Sequence, residues 1–362
     1  MPTPPIPVAI LTGYLGAGKT TLLNFLLKDP LLAKAAVIVN EFGDVGLDHL
    51  LVEKSGDNII ELAPGCLCCT IRGDLIDTLN DLLARRDSGA VKPFDRIVIE
   101  TTGLADPAPV LHSVMSEPGL LARCRLEGVI TVVDAVNGDA ALDAHAEAVR
   151  QVAVADRIVL AKVDLLSGRE GEDKLFAIIA RLRKLNPAAR LLTTYRNEAT
   201  AGRLFTMGLF DPQRKTPDVQ GWLAAETYYK RHRHRHHDVS RHDDHIRSFS
   251  FTEAEPISPQ GLELFLELLK SCHGANMLRM KAIVKLADDP ARPVVLHGVQ
   301  HVFHPPFRLE RWPDDDERTR LVFIVKDIEK PVIEGLYRAL TDRLSGGAAA
   351  FTDKTLSLMR RA

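Results

Sequence analysis

The sequence predicts an α/β fold in which a doubly wound parallel sheet is followed by a smaller α+β domain. Three observations support this prediction. Short apolar segments alternate with helical ones through the first part of the chain. A glycine-rich loop joins the first of these segments to the first helix. A polar stretch around residues 212–245 then separates this pattern from a second one, in which apolar and polar residues alternate as in a half-buried strand.

The strands predicted in the first domain lack polar alternation, as expected for a parallel sheet that helices cover on both faces. They comprise residues 7–12, 35–40, 96–101, 128–134, 157–161 and 190–195. Helices are predicted at residues 20–28, 74–86 and 143–152. Asp74 is expected to cap the second helix by accepting hydrogen bonds from the amides of its first turn.

The second domain is predicted to begin after a linker. Residues 213–245 are rich in arginine and histidine and have no apolar face to bury, so we expect them to be exposed. Ser258 and Pro259 suit the start of a helix. Strands are predicted near residues 246–251, 278–286, 293–303 and 320–325, with a closing helix at 331–344. The predicted domain boundaries are therefore 1–212, 213–245 and 246–362.

Composition excludes several classes of protein. The 362 residues carry 46 basic and 48 acidic side chains, a net charge of -2 that argues against a general polyanion binder. No apolar run approaches the roughly 18 residues that span a bilayer, so no membrane partner is expected. The N-terminus lacks the pattern of a secretory signal. Five cysteines exclude a disulfide framework, which favours a cytoplasmic location.

The glycine-rich loop has the pattern of a phosphate-binding loop. Residues 13–20 read G-x-x-x-x-G-K-[ST] between a predicted strand and a predicted helix, the context that this motif requires. Loop amides would surround a β-phosphate, Lys19 would neutralise the β- and γ-phosphate oxygens, and the Thr20 hydroxyl would ligate Mg²⁺. The loop predicts a P-loop NTPase with nucleotide contacts from Gly13, Gly16, Ala17, Gly18, Lys19, Thr20 and Thr21.

Two further segments complete the predicted nucleotide site. Glu100 ends a strand and precedes Gly103, so its carboxylate would either hold the Mg²⁺ shell or orient the attacking water. Asp164 would accept the N1–H and N2–H groups of guanine, and the stem of Lys162 would pack over the base. Guanine-binding proteins usually begin this motif with Asn, Thr or Ser, but here the position is Ala161. We expect GTP, and the missing polar contact at Ala161 would soften the selectivity for guanine.

Three of the five cysteines lie within four residues, at Cys66, Cys68 and Cys69. Thiolates are ligands for Zn²⁺ and other soft or borderline ions, and metal binding would deprotonate them. A structural zinc site normally has four protein ligands, so three local thiols leave one position for water, a distant residue or a recipient protein. A redox-sensing dithiol and buried packing cysteines are the alternatives.

These motifs, taken in order, resemble one family. Residues 13–20, the N-E-F-G-D-V-G segment at 40–46, G-C-L-C-C at 65–69 and E-T-T-G-L-A-D-P at 100–107 together look like the CobW-type metallochaperone GTPases. These are relatives of the urease and hydrogenase nickel-insertion GTPases. The histidine-bearing linker and residues 296–299 are also similar to that family. The resemblance covers nearly the whole chain.

The resemblance implies a function and a set of roles. In the family, GTP and Mg²⁺ assemble a metal site at the C-x-C-C cysteines, and hydrolysis releases the metal. Carried over, Cys66, Cys68 and Cys69 are the metal ligands, and Glu41 belongs to a segment that responds to the nucleotide. The expected metal is Zn²⁺, with Co²⁺ or Fe²⁺ as alternatives. The expected partners are a client metalloprotein and, in one nucleotide state, a second copy of the chain.

The linker contains six of the 13 histidines, between His232 and His245. Neutral imidazoles bind borderline metals weakly, so this tract is interpreted either as an antenna that feeds the cysteines or as a plain solvated linker. Its arginines would also suit phosphate contacts. Because no nucleic-acid-binding fold accompanies them, nucleic acid is the least favoured partner.

Three hypotheses follow from the sequence. The first is a GTPase that couples its nucleotide state to the binding and delivery of a transition metal. The second is a regulatory GTPase in which zinc is structural and GTP controls a partner protein. The third, an ATP-using kinase or ATPase, depends on Ala161 alone.

Overall fold

The computed structural model describes residues 4–39, 59–61, 70–205 and 245–344. These residues fall into two compact units. The first contains the phosphate-binding loop, and the second contains the strands and helices that follow residue 245. A short segment at Lys184–Ala188 is grouped with the second unit.

The first unit is built on a seven-stranded sheet in which all strand pairs are parallel. Its spatial order is β3-β2-β4-β1-β5-β6-β7. The strands are β1 (Ile6–Gly13), β2 (Ala35–Val39), β3 (Ile59–Glu61), β4 (Arg96–Glu100), β5 (Cys124–Asp134), β6 (Arg157–Ala161) and β7 (Arg190–Thr193). The helices are α1 (Lys19–Leu26), α2 (Thr70–Asp87), α3 (Ala108–Ser116), α4 (Pro118–Leu121), α5 (Gly138–Ala144), α6 (Ala146–Ala153), α7 (Gly168–Leu185) and α8 (Ala201–Phe205).

The central strands form for the reason that the sequence indicated. Every residue of β2 and β6 is buried, and so is all of β5 except Arg125. Strands buried on both faces need apolar residues at every position, since helices cover each side of the sheet. The prediction of a doubly wound α/β unit is confirmed.

Two helix predictions in this unit were wrong in detail. Helix α2 begins at Thr70, so Asp74 is the fifth residue of the helix and not the residue before its first turn. The single helix expected at residues 143–152 is two helices, because His145 has the extended backbone angles φ −133° and ψ 113°. The alanine-rich sequence around this break, residues 141–148, contains no Gly or Pro that would have signalled it.

The second unit has a six-stranded sheet with the order β11-β10-β9-β13-β8, and β12 pairs with β10. All of its strand pairs are antiparallel. The strands are β8 (Ile246–Glu253), β9 (Met277–Val284), β10 (Val294–Val299), β11 (Val302–Phe303), β12 (Phe307–Arg308) and β13 (Thr319–Lys326). Two long helices, α9 (Pro259–His273) and α10 (Lys330–Leu344), accompany the sheet.

The core of the second unit lies between one sheet face and these helices. Phe265 of α9 meets Tyr337 of α10 edge-on at 5.1 Å between ring centroids, and Phe251 stacks on Phe323 of the neighbouring strand. Ser258 caps α9 as predicted, since its Oγ accepts a hydrogen bond from the amide of Gly261 at 3.0 Å. The strand expected at 293–303 is two strands, with Gln300 at φ +51° in the turn. The α+β prediction for this unit is confirmed.

Among the helices that the structure describes, none is both long and apolar enough to cross a bilayer.

Candidate nucleotide site

The phosphate-binding loop joins β1 to α1 at the carboxyl edge of the sheet. Gly18 precedes the helix at φ +100°, a left-handed conformation that favours glycine. A Cβ on Gly13 would lie 2.3 Å from the carbonyl oxygen of Val132, so only glycine lets the loop leave the sheet here. The ammonium of Lys19 donates a hydrogen bond to the carbonyl of Gly13 at 3.0 Å. The loop and its lysine therefore have the arrangement that anchors phosphate groups at a helix N-terminus.

Glu100 lies beside this loop because β4 and β1 are neighbours in register. Leu11 of β1 pairs with Glu100, the last residue of β4. The Thr20 hydroxyl donates a hydrogen bond to Oε1 of Glu100 at 2.9 Å, and the Glu100 side chain is buried. A hydroxyl and a carboxylate side by side are oxygen ligands of the kind that Mg²⁺ prefers, so the residues present fit that ion. A bound Mg²⁺ would neutralise charge on the β- and γ-phosphates.

Gly103 packs directly against the backbone of the phosphate-binding loop. A Cβ at this position would lie 2.6 Å from both the Cα and the nitrogen of Leu15, so the two backbones are in direct contact. The segment after Glu100 thus meets the phosphate-binding loop at a glycine that no larger residue can replace.

Lys162 connects the predicted base-recognition segment to the phosphate-binding loop. Its backbone adopts φ +60°, and its ammonium donates hydrogen bonds to the carbonyl of Gly16 at 2.7 Å and to Oδ2 of Asp134 at 2.8 Å. Asp164 lies two residues further on and is exposed at the same edge. The Cβ of Ala161 is 3.6 Å from the place a Cβ on Gly18 would occupy, so residue 161 faces the loop.

Asp134 is a site residue that the sequence analysis missed. It ends β5, the strand between β1 and β6, and its carboxylate also accepts hydrogen bonds from the amides of Val136 and Asn137. Burial alone would raise the pKa of this carboxyl, but the bonds from Lys162, Asn137 and Val136 outweigh it and lower the pKa below its ordinary value. The available signal was an acidic residue at the end of a buried strand.

The predicted metal ligands Cys66, Cys68 and Cys69 lie outside the described residues, as do Glu41 and the histidine tract before His245. Their flanks are described: the cysteines come between β3 and α2, and Glu41 follows β2. Within the described ranges no group of three or more His, Cys, Asp or Glu side chains is arranged to hold a metal.

The fold and this edge of the sheet define a P-loop nucleotide-binding protein. The family description "CobW/HypB/UreG, nucleotide-binding domain" matches residues 7–193, and "Cobalamin synthesis protein cobW C-terminal domain" matches residues 246–341. The chain belongs to the CobW family. The resemblance inferred from the motifs is confirmed, and so is the prediction of an enzyme of the P-loop GTPase class.

Similar proteins cover nearly the whole chain. The zinc chaperone YjiA of Escherichia coli is 32% identical over 336 residues, which are 93% of this chain and 99% of that protein. The zinc chaperone CobW of Pseudomonas aeruginosa is 31% identical over 368 residues, covering 92% of this chain and 91% of its own length. The crystal structure of Zn(II)-bound YjiA GTPase from E. coli matches with a TM-score of 0.65 at 27% identity, covering 93% of this chain and 99% of that one.

Proposed function

We propose that this protein is a GTP-hydrolysing metallochaperone that binds a transition metal at Cys66, Cys68 and Cys69 and delivers it to a client metalloprotein. GTP with Mg²⁺ favours the metal-bound state, and hydrolysis releases the metal. Zinc is the favoured cargo because the similar proteins of E. coli and P. aeruginosa are called zinc chaperones. Co²⁺ and Fe²⁺ are the alternative metals, since thiolates also bind them.

The order of the strands is the observation that carries this proposal. β2, β4 and β1 are adjacent, and β3 pairs with β2. The segment with Glu41 leaves the carboxyl end of β2, and the segment with the cysteines leaves the carboxyl end of β3. Because parallel strands end at one edge of a sheet, both segments depart from the edge that holds Glu100 and the phosphate-binding loop. In the proposal, a change at the γ-phosphate is passed to the cysteines through the segments that leave this edge.

Each nucleotide contact has a proposed role. Lys19 neutralises the phosphates, Thr20 ligates Mg²⁺, and Glu100 either holds the Mg²⁺ shell or orients the attacking water. Lys162 packs along the base and Asp164 selects guanine. The remaining contacts come from the loop backbone and its neighbours: Gly13, Gly16, Ala17, Gly18, Thr21, Glu41 and Gly103.

Replacing Cys68 with Ala tests the role of the cysteines. The proposal predicts a folded protein that still hydrolyses GTP but neither binds zinc tightly nor transfers it to a metal-free acceptor. Cys272→Ala is the matched control, because Cys272 is exposed and far from the motif in sequence. Loss of folding in Cys68→Ala alone would instead favour the second hypothesis, a regulatory GTPase with structural zinc.

A competition assay settles the nucleotide. GTP is expected to displace a fluorescent guanine nucleotide far better than ATP does, because Asp164 accepts two hydrogen bonds from guanine and repels N1 of adenine. Comparable displacement by ATP would favour the ATPase hypothesis, and Ala161→Asn would then be expected to restore selectivity.

The proposal includes a homodimer that forms in the GTP state. Leu15, Leu104 and Leu165 follow three different strands at the nucleotide edge, and between 58% and 64% of each is exposed. Large apolar side chains exposed around one site favour a protein partner there. Light scattering with a GTP analogue and with GDP measures the effect. The proposal also keeps the domain boundaries predicted from the sequence, 1–212, 213–245 and 246–362. A cytoplasmic location is proposed as well, and the low cysteine count supports it.

A further inference from the structure

Helix α6 contacts both sides of the nucleotide site. At its N-terminus, the ring of His145 stacks on Tyr14 of the phosphate-binding loop, with 4.5 Å between centroids and 18° between planes. Near its C-terminus, the side-chain amide of Gln151 donates hydrogen bonds to the carbonyls of Gly103 at 3.2 Å and Ala105 at 3.0 Å. One short helix thus touches the loop that holds phosphate and the segment that follows Glu100.

Gln151 is fully buried, and both its backbone and its side chain form hydrogen bonds with other segments. Its backbone carbonyl accepts a hydrogen bond from the Thr131 hydroxyl of β5 at 2.7 Å. Both carbonyls that it binds belong to a single turn, since the amide of Ala105 donates to the carbonyl of Thr102 at 3.2 Å. The amide of Gln151 therefore fastens this turn to the helix and the sheet.

Gln151 also borders a cavity beside the phosphate-binding loop. This cavity of about 420 Å³ lies between the phosphate-binding loop, β5 and helices α5 and α6. Residues 14–17 of the phosphate-binding loop line it together with Asp134, Lys162 and Gln151. Gln151 therefore lies in the wall of a cavity that the phosphate-binding loop and the base-recognition lysine share.

We propose that Gln151 is a positioning residue for GTP hydrolysis, a role that rests on the proposed function. Its amide holds Gly103 against the backbone of Leu15 and so fixes the segment after Glu100 relative to the phosphates. Arg150 gives a second, weaker attachment, with its guanidinium 3.4 Å from the carboxylate of Asp106. In this role Gln151 acts through the turn that contains Gly103, since its amide donates to the two carbonyls of that turn.

The test separates kcat from nucleotide affinity. Gln151→Met keeps the length of the side chain but removes both donors, leaving two buried carbonyls without their bonds. We expect kcat for GTP to fall about tenfold, while the Kd for a GTP analogue changes by less than about threefold. Gln151→Glu, which has the same shape and no amide donors, is expected to lose kcat similarly. Hydrogen exchange at residues 102–106 should become faster in both variants.

Val149→Ala is the matched control, because Val149 is fully buried in the same helix and its side chain makes no hydrogen bonds. It destabilises the helix but should keep kcat within about twofold of the wild type. The inference is overturned if both folded Gln151 variants keep wild-type kcat, if their affinity falls as much as kcat, or if Val149→Ala loses as much. Absence of GTP hydrolysis by the wild type would instead refute the proposed function itself.

Discussion

Among single residues, Asp134 shows how one carboxylate organises two recognition segments. Its hydrogen bond to Lys162 holds that ammonium next to the carbonyl of Gly16, so the base-recognition segment and the phosphate-binding loop are joined through one side chain. The Asp134 side chain is 10% exposed and that of Lys162 is 36% exposed, so solvent screens this pair in part.

Asp134→Asn is expected to weaken nucleotide binding. The substitution removes the charge that holds Lys162, and a hydrogen bond between charged groups contributes about 1.5–3 kcal/mol, so the Kd for GTP should rise about tenfold. Titration with a fluorescent guanine nucleotide measures this. Asp143→Asn is the control, because the Asp143 side chain is exposed and pairs with Arg181 of α7, not with Lys162. An unchanged Kd in Asp134→Asn would show that Lys162 is held without this carboxylate.

The same carboxyl predicts a pH dependence. Its pKa is below the ordinary 3.8 in the folded protein, so its contribution to stability is present above about pH 4 and is lost as pH falls through the folded pKa. As the pH is lowered below about 4, the free energy of unfolding should therefore fall less in Asp134→Asn than in the wild type. Thermal unfolding across this range is the measurement, and parallel losses in both proteins would contradict the assignment.

The two cysteines in the described part of the chain should differ sharply in reactivity. Burial raises the pKa of the Cys124 thiol to about 11, whereas Cys272 is exposed. The reactive species is the thiolate, so Cys124 should stay unmodified by iodoacetamide at pH 8 while Cys272 reacts. Peptide mass spectrometry measures both, and unfolding the protein in denaturant should make Cys124 reactive. Rapid modification of native Cys124 would contradict its burial.

At the scale of elements, the strands were the most predictable part of the fold. A strand buried on both faces leaves an unbroken apolar run, and β6 has the predicted bounds, residues 157–161. Helix limits were less predictable, since no Gly or Pro marks the break at His145, whose ring stacks on Tyr14 far away in sequence. The turn at residues 300 and 301 was also missed. Apolar residues flank it on both sides, so the sequence reads as one continuous strand.

The cap of α9 gives a test at this scale. Ser258→Ala removes the bond to the amide of Gly261 and should cost about 1 kcal/mol. Fluorescence in a Trp222→Phe background reports on the unit, because Trp312, the other of the two tryptophans, is buried there. Ser271→Ala is the control, since Ser271 lies exposed near the end of the same helix. Equal stability of the two variants would show that the cap contributes nothing.

At the scale of the whole molecule, sequence motifs predicted the residues that bind phosphate but not the hydrogen bonds that hold the surrounding segments in place. Lys19, Thr20 and Glu100 meet because β1 and β4 are neighbours, and their motifs are local in sequence. Asp134 and Gln151 reach their partners over 28 and 48 residues, and no pattern within a few residues marks such a contact. Hydrogen bonds between residues far apart in sequence are therefore the part of the site that could not be predicted from the sequence alone.

The central claim is that nucleotide state controls metal affinity across one edge of the sheet. Chelator competition measures the Zn²⁺ Kd of the full chain without nucleotide, with GDP and with a GTP analogue plus Mg²⁺. We expect the GTP-analogue state to bind Zn²⁺ at least about tenfold more tightly than the GDP state, and by linkage Zn²⁺ should tighten binding of the analogue by the same factor. An identical Zn²⁺ Kd in all three states would contradict the account.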